Sequence, residues 1–186
     1  VGSEMCIRDS YTSPLGYASD KLSAFLNEKP EDLRLQLLNE DTLGTLKYAK
    51  VNVEISNRYY NIIVLRTSEM YLIRAKANNN LNNIDLAKED IKTLQARNYQ
   101  KSISEIIILE NNKEEVAALI DKERAKELSF EGHRLYDLTR TKQHMIRDDN
   151  TTSSIKQVLY PNNLFALPIP QKEMDVNTGM IQNEGY

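Results

Sequence analysis

Hydrophobic positions recur at helical spacing in three stretches of this chain and alternate in another. In TSEMYLIRAKANNN, Thr67 to Asn80, the side chains of Tyr71, Leu72 and Ala75 make one apolar face, the signature of an amphipathic helix. Thr67 or Ser68 can cap it, and Glu69 suits its first turn. Five asparagines between Asn78 and Asn83 break the pattern, and a second helix comes next with Asp85 in its first turn and Leu86, Ile91 and Leu94 inward. Residues 67–98 therefore read as an antiparallel helical hairpin. Ala75 and Ala87 are small enough to let the two helices cross closely, a partial match to the tetratricopeptide (TPR) repeat. A third helix runs from about Lys113 to Phe130, with Val116, Ile120 and Leu128 inward, and Gly132 ends it. Val51, Val53 and Ile55 alternate, which predicts a short strand within Lys47–Ile55. RYYNIIVLR, Arg58 to Arg66, reads as extended chain.

The remaining segments are less regular. Tyr11 to Arg34 is a loop, a short amphipathic piece and then Pro30. Ser102 to Asn112 is an apolar run without a clear period, and His144 to Lys156 is a polar loop. Pro168 and Pro170 forbid helix in the tail and favour an extended path, so Leu164, Phe165, Leu167 and Ile169 need cover. The fold class is mainly α: one or more TPR-like hairpins of an α-α superhelix, plus a loop-rich, partly extended C-terminal portion. A single such hairpin cannot bury its own faces, and about three are needed. The chain therefore reads as a piece of something longer.

The third helix poses the main chemical question. Glu123, Glu127 and Glu131 stack at i, i+4 and i+8, and Arg124 falls one turn after Ile120 and one turn before Leu128. Like charges at that spacing cost a few tenths of a kcal/mol each on an exposed helix, so cations must stand near them. A guanidinium can satisfy two carboxylate oxygens at once and suits a partly buried pair better than an ammonium does. The expected arrangement is a structural ion-pair network of Arg74, Arg124, Glu127, Glu131 and Arg134. Two rival readings make Glu127 and Glu131 an acid/base pair for sugar hydrolysis, or metal ligands with His133. The break at Gly132 makes His133 a poor partner, and no His-Glu-x-x-His spacing occurs. No catalytic residue, metal ligand or cofactor is assigned on this reading.

Composition narrows the classes further. With 186 residues, 40% apolar and 27% charged, the chain can bury a sizeable core. A net charge of -3 leaves no basic footprint for nucleic acid, and no polybasic run suits an anionic membrane. No apolar run approaches the ~20 residues of a membrane helix. The single cysteine, Cys6, cannot form an internal disulfide. Walker, dinucleotide-binding and Gly-x-Ser-x-Gly motifs are absent from the sequence. Ten tyrosines without a tryptophan leave room for stacking on a sugar face, although Tyr71 and Tyr136 read as core. Of Tyr59 and Tyr60, one points inward and one outward if their segment is extended. The first ten residues, VGSEMCIRDS, fit nothing downstream and read as an adaptor-derived peptide; residues 11–186 carry the domain.

Three blocks then identify a family. EMYLIRAKA (Glu69 to Ala77), ERAKELSFEGHRLYDLTR (Glu123 to Arg140) and LPIPQKEMDVN with the final QNEGY (Leu167 to Tyr186) resemble, in order and spacing, the C-terminal region of the SusD/RagB family. Members are nutrient-binding outer-membrane lipoproteins of Bacteroidota. The resemblance implies a mainly helical fold with TPR helix pairs and a non-enzymatic role. It implies a lipid anchor on an N-terminal cysteine, a surface-exposed location, and a partner in a TonB-dependent transporter of the SusC type. The cargo it implies is oligosaccharide, or in some members peptide. Cys6 does not match the lipid-bearing cysteine, since no apolar stretch precedes it. The matching blocks look architectural, so no ligand-binding residue is carried over. The alternative from the hairpin alone is a TPR-type interaction adaptor with no sugar role.

Overall fold

A computed structural model of the protein describes residues 18–39, 44–45, 47, 65–147 and 154–186. The expected strand at Val51 to Ile55, most of Arg58 to Arg66, Tyr59, Tyr60 and Cys6 lie outside the described residues. The chain forms two compact units divided after Gly132. Its regular structure is mainly helical, and the only sheet among the described residues is a two-stranded ladder in the second unit.

The first unit contains α1 (Asp20–Asn27), a 3-10 turn at Leu33–Leu37, α2 (Thr67–Asn80), α3 (Ile84–Tyr99), a 3-10 turn at Ile103–Glu105 and α4 (Lys113–Glu127). Helices α2 and α3 make the hairpin, and α4 packs against both. Ala75 and Ala87 are fully buried together with Ile91, Val116 and Ile120, so the two alanines do stand where helices meet. Burial of each branched side chain around them contributes roughly 1.5–3 kcal/mol. Leu86 departs from expectation and is 50% exposed. The inward face of α3 is Ala87, Ile91 and Leu94, and Leu86 lies one residue, about 100°, off that line. Helix α2 also starts differently: Arg66 is its N-cap, and Thr67 and Ser68 lie inside its first turn. A second, smaller cluster joins Ala18, Leu26 and Leu38 to Leu22, Leu35 and Phe130.

The C-terminal end of α4 is a tight left-handed exit. The helix stops at Glu127 rather than Phe130, and Leu128 N donates to Arg124 O as its last bond. Phe130 and Gly132 then both take left-handed conformations, with φ of 63° and 78°. Such a backbone costs a non-glycine residue roughly 1–2 kcal/mol. Phe130 offsets that cost by packing its ring into the Leu26 and Leu38 cluster.

The second unit holds α5 (His133–Thr141), β1 (Met145–Ile146), β2 (Gln157–Val158), a 3-10 turn at Asn163–Phe165 and α6 (Gln171–Val176). The strands pair antiparallel, Met145 opposite Val158, at the two ends of the expected polar loop. Tyr136 is 64% exposed and is not core, because α5 buries only Leu138. The tail carries a short helix, α6, which begins immediately after Pro170. A proline at the cap position surrenders no intrahelical bond, so the helix is compatible with it. The extended part is held by polar contacts. Ile169 N donates to Gln182 Oε1 and Gln182 Nε2 returns a bond to Ile169 O, at 2.8 and 2.9 Å. Asn183 Nδ2 donates to Leu167 O and the Tyr186 hydroxyl to Ala166 O. The final Gln-Asn-x-Gly-Tyr motif thus clamps the Leu-Pro-Ile-Pro motif.

Candidate functional site

The most concentrated chemistry in the first unit lies on the last two turns of α4. On a helical wheel of about 100° per residue, Glu127 falls midway between Val116 and Ile120, with Glu123 close beside it. The apolar stripe of α4 therefore runs straight into two carboxylates. Both are almost fully buried, as are Lys126, Asp32 and Arg34. Charges in such a place must be paired and hydrogen-bonded, or they would neutralise or unfold the site.

All five are paired. Arg34 donates Nε and Nη2 to the two Asp32 oxygens at 2.8 and 2.7 Å, and its Nη1 to Glu123 at 3.0 Å and to Glu127 at 3.4 Å. Glu127 also takes bonds from Arg97 at 2.6 Å, from Asn98 Nδ2 at 3.1 Å and from Arg66. Arg66 reaches the Glu127 backbone carbonyl at 2.8 Å and pairs with Glu131 at 3.2 Å. Glu131 is shared with Lys47, which also donates to Ser129 O at 2.9 Å. Lys126 lies between Asp32 at 3.1 Å, Glu123 at 3.3 Å and the Tyr99 hydroxyl at 3.4 Å. Gln95 Nε2 completes Glu123 at 3.0 Å. The cluster ties α4 to α3, to the entry of α2 and to the chain at Asp32 and Arg34.

Electrostatics fix the ionisation of this cluster. Burial alone would raise the Glu127 carboxyl, but the Arg97 bond, the charges of Arg97 and Arg66 and the Asn98 bond outweigh it and hold it at about 2. Burial likewise works against Asp32, and its bonds and charge contact with Arg34 bring it below the usual carboxylate value. Lys47 goes the other way: burial lowers its ammonium despite Glu131 beside it. Burial, reinforced by the Glu123 charge, pushes the Tyr99 hydroxyl up.

The five residues expected to form one network are distributed differently. Glu127 and Glu131 lie in the cluster and share Arg66. Arg124 flanks the buried stripe and pairs with Glu69 on α2 at 3.0 Å. Arg74 is largely exposed and pairs with Asp90 on α3, its guanidinium lying 5.2 Å from the Tyr71 ring centre. Arg134 is an exposed residue of α5 in the second unit. Arg34, Asp32, Arg66, Arg97 and Lys126 are partners that sequence reasoning missed. The wheel position of Glu127 was a usable signal for the carboxylate, and the Asp32-x-Arg34 pair just after Pro30 was a weaker one. Nothing local announced Arg66 or Arg97.

A carboxylate held at about 2 stays ionised at neutral pH and cannot serve as a general acid. With its oxygens occupied by three guanidiniums and an amide, it is also a poor nucleophile. A cleft of about 320 Å³ adjoins the cluster and shares Gln95, Tyr99, Glu123 and Lys126 with it.

Known proteins place this architecture. Residues 39–186 match the model of the SusD family. A SusD-like protein from Formosa agariphila is 36% identical over 107 residues, which are 55% of this chain and 21% of that protein. Among solved structures, a putative sugar binding protein from Bacteroides vulgatus superposes with a TM-score of 0.73 at 29% identity, covering 90% of this chain and 39% of that one. A SusD superfamily protein from Bacteroides thetaiotaomicron gives 0.72 at 25% identity, covering 89% of this chain and 40% of that one. The chain thus spans about a fifth of the curated relative and about two-fifths of the solved ones.

Proposed function

The chain belongs to the SusD family, and on that premise we propose that it serves a non-catalytic surface protein that captures oligosaccharides, or peptides, for uptake. In this reading the protein sits at the outer membrane as a lipoprotein and passes its cargo to a TonB-dependent transporter of the SusC type. The observation that carries the reading is the family match over residues 39–186. The likeness to a sugar binding protein at 29% identity supports the glycan class. The engagement of Glu123, Glu127 and Glu131 by cations supports binding without turnover, because these carboxylates are committed to holding helices together. Among the described residues no helix is long and apolar enough to cross a membrane, which is compatible with attachment through a lipid.

Affinity electrophoresis on a panel of polysaccharides tests the proposal. The expected result is retardation on at least one glycan, relieved by the matching free oligosaccharide. Migration unchanged on every glycan and by every peptide tested would favour the adaptor reading instead.

A further inference from the structure

The stretch EIIILE, Glu105 to Glu110, lies outside the ion-pair cluster and joins α3 to α4. Ile106 opens it in extended conformation, with φ of -84° and ψ of 116°. Ile106 and Ile108 turn into the main core, while Ile107 and Leu109 are each 78% exposed. That alternation is the period of a β-strand, yet no strand pairs with it. Among the described residues, no hydrogen bond engages the backbone N–H groups of Ile107, Ile108, Leu109 and Glu110 or the carbonyls of Ile106 to Glu110. We propose that this segment is a docking edge for an extended strand of a partner protein, one whose alternating apolar residues are flanked by lysine or arginine. Such docking is independent of the cargo proposed above.

Three features select that partner. First, free N–H and C=O groups along an extended backbone are the template for strand addition, and a docked helix, whose own groups are paired internally, could not satisfy them. One side of the segment borders the cleft, along Glu105 to Ile108 and at Glu110, so the backbone is open there. Second, Ile107 and Leu109 stand two residues apart on one outward face. Their neighbours in an added strand would lie on that same face, so alternating valine or isoleucine in the partner covers both. Third, the ends of the segment are acidic. Glu105 is engaged only by Ser102, and neither Glu105 nor Glu110 has an ion-pair partner among the described residues. Glutamates flanking an apolar strand oppose its pairing with a second copy, because parallel and antiparallel self-pairing both bring like charges together. The same carboxylates attract a strand with cations at its ends.

NMR of the protein, labelled at backbone amides and at isoleucine and leucine methyls, tests this with synthetic peptides. The probes are Lys-Val-Thr-Val-Thr-Val-Lys, its analogue with glutamate at both ends, and its analogue N-methylated at the central Thr-Val-Thr. The lysine peptide is expected to shift the amides of Ile107 to Glu110 and the methyls of Ile107 and Leu109 together and saturably, and to slow hydrogen exchange at those amides. The N-methylated peptide, which cannot donate along either edge, is expected to leave them unmoved. Ile107→Lys, at an exposed position that does not threaten folding, is expected to weaken binding about tenfold, the loss of one covered isoleucine. Glu110→Lys is expected to weaken the lysine peptide roughly fivefold, the size of one cross-strand charge pair, and to favour the glutamate peptide. No shifts at these residues with any peptide would overturn the docking edge. Equal binding of the lysine and glutamate peptides would overturn the basic partner, and binding of the N-methylated peptide as tight as its parent would overturn strand addition. A dimer in analytical ultracentrifugation that Ile107→Lys dissolves would assign the segment to a second copy instead.

Discussion

Glu127 is the residue on which the first unit turns. Its carboxylate accepts from Arg34, Arg66, Arg97 and Asn98, which come from three separate segments of the chain. Its folded value of about 2 lies below the ordinary 4.5. Between those values the unfolded chain binds the proton and the folded one does not, so this contribution rises with pH. It is fully present above about pH 4.5 and is lost as pH falls through 2, a change on the order of 3 kcal/mol at 1.36 kcal/mol per unit. Urea midpoints measured from pH 6 to pH 2 are expected to fall over that window. Glu127→Gln should start lower at pH 6 by roughly 3–5 kcal/mol, the cost of uncompensated buried charge, and should lose less on acidification. Parallel pH profiles for the two proteins would contradict this. The sequence made the column of glutamates visible and made the need for cations plain. It pointed to Arg124 because apolar spacing was counted forward from Ile120, whereas Glu127 occupies the centre of the stripe and Arg124 its shoulder. Arg34, Arg66 and Arg97 arrive through tertiary packing, which no local period encodes.

At the scale of elements, two turns fix the paths of longer pieces. Gly132 holds φ at 78°, and nothing lies within 4 Å of where a Cβ would stand. Gly132→Ala is therefore expected to cost only the backbone term, about 1–2 kcal/mol, and Gly132→Asn less, since asparagine tolerates that conformation; calorimetry or urea unfolding would rank the three. In the tail, the two bonds between Gln182 and Ile169 replace the helical bonds that Pro168 and Pro170 exclude. Gln182→Ala should leave the global midpoint nearly unchanged while hydrogen exchange at the Ile169 amide accelerates. Unaltered protection at that amide would mean the clamp lies elsewhere. The hairpin of α2 and α3 was legible because Ala75, Ala87, Ile91 and Leu94 repeat at helical spacing across an asparagine-rich break. Leu86 and Tyr136 were misplaced because a hydrophobic type does not by itself say which face of a helix it occupies, and apolar surface is common on folded proteins. The helix α6 was missed because Pro170 reads as a breaker, although at a helix start it is permissive.

For the whole molecule, the three sequence blocks that carry the family resemblance hold structure together at separate places. The first supplies Glu69 for Arg124 and the apolar face of α2, the second supplies the buried charge cluster, and the third closes the tail on itself. The mainly helical fold was therefore readable from the chain, and so was the family. The partners of the buried carboxylates were not, because Arg34, Arg66 and Arg97 come from segments far apart in sequence. We propose that these carboxylates hold a scaffold which binds glycan without cleaving it. The most direct test is to incubate the protein with the polysaccharide that retards it most and to measure reducing ends over several hours. No release above the protein-free control is expected; steady release that disappears in Glu127→Gln would contradict a purely binding role.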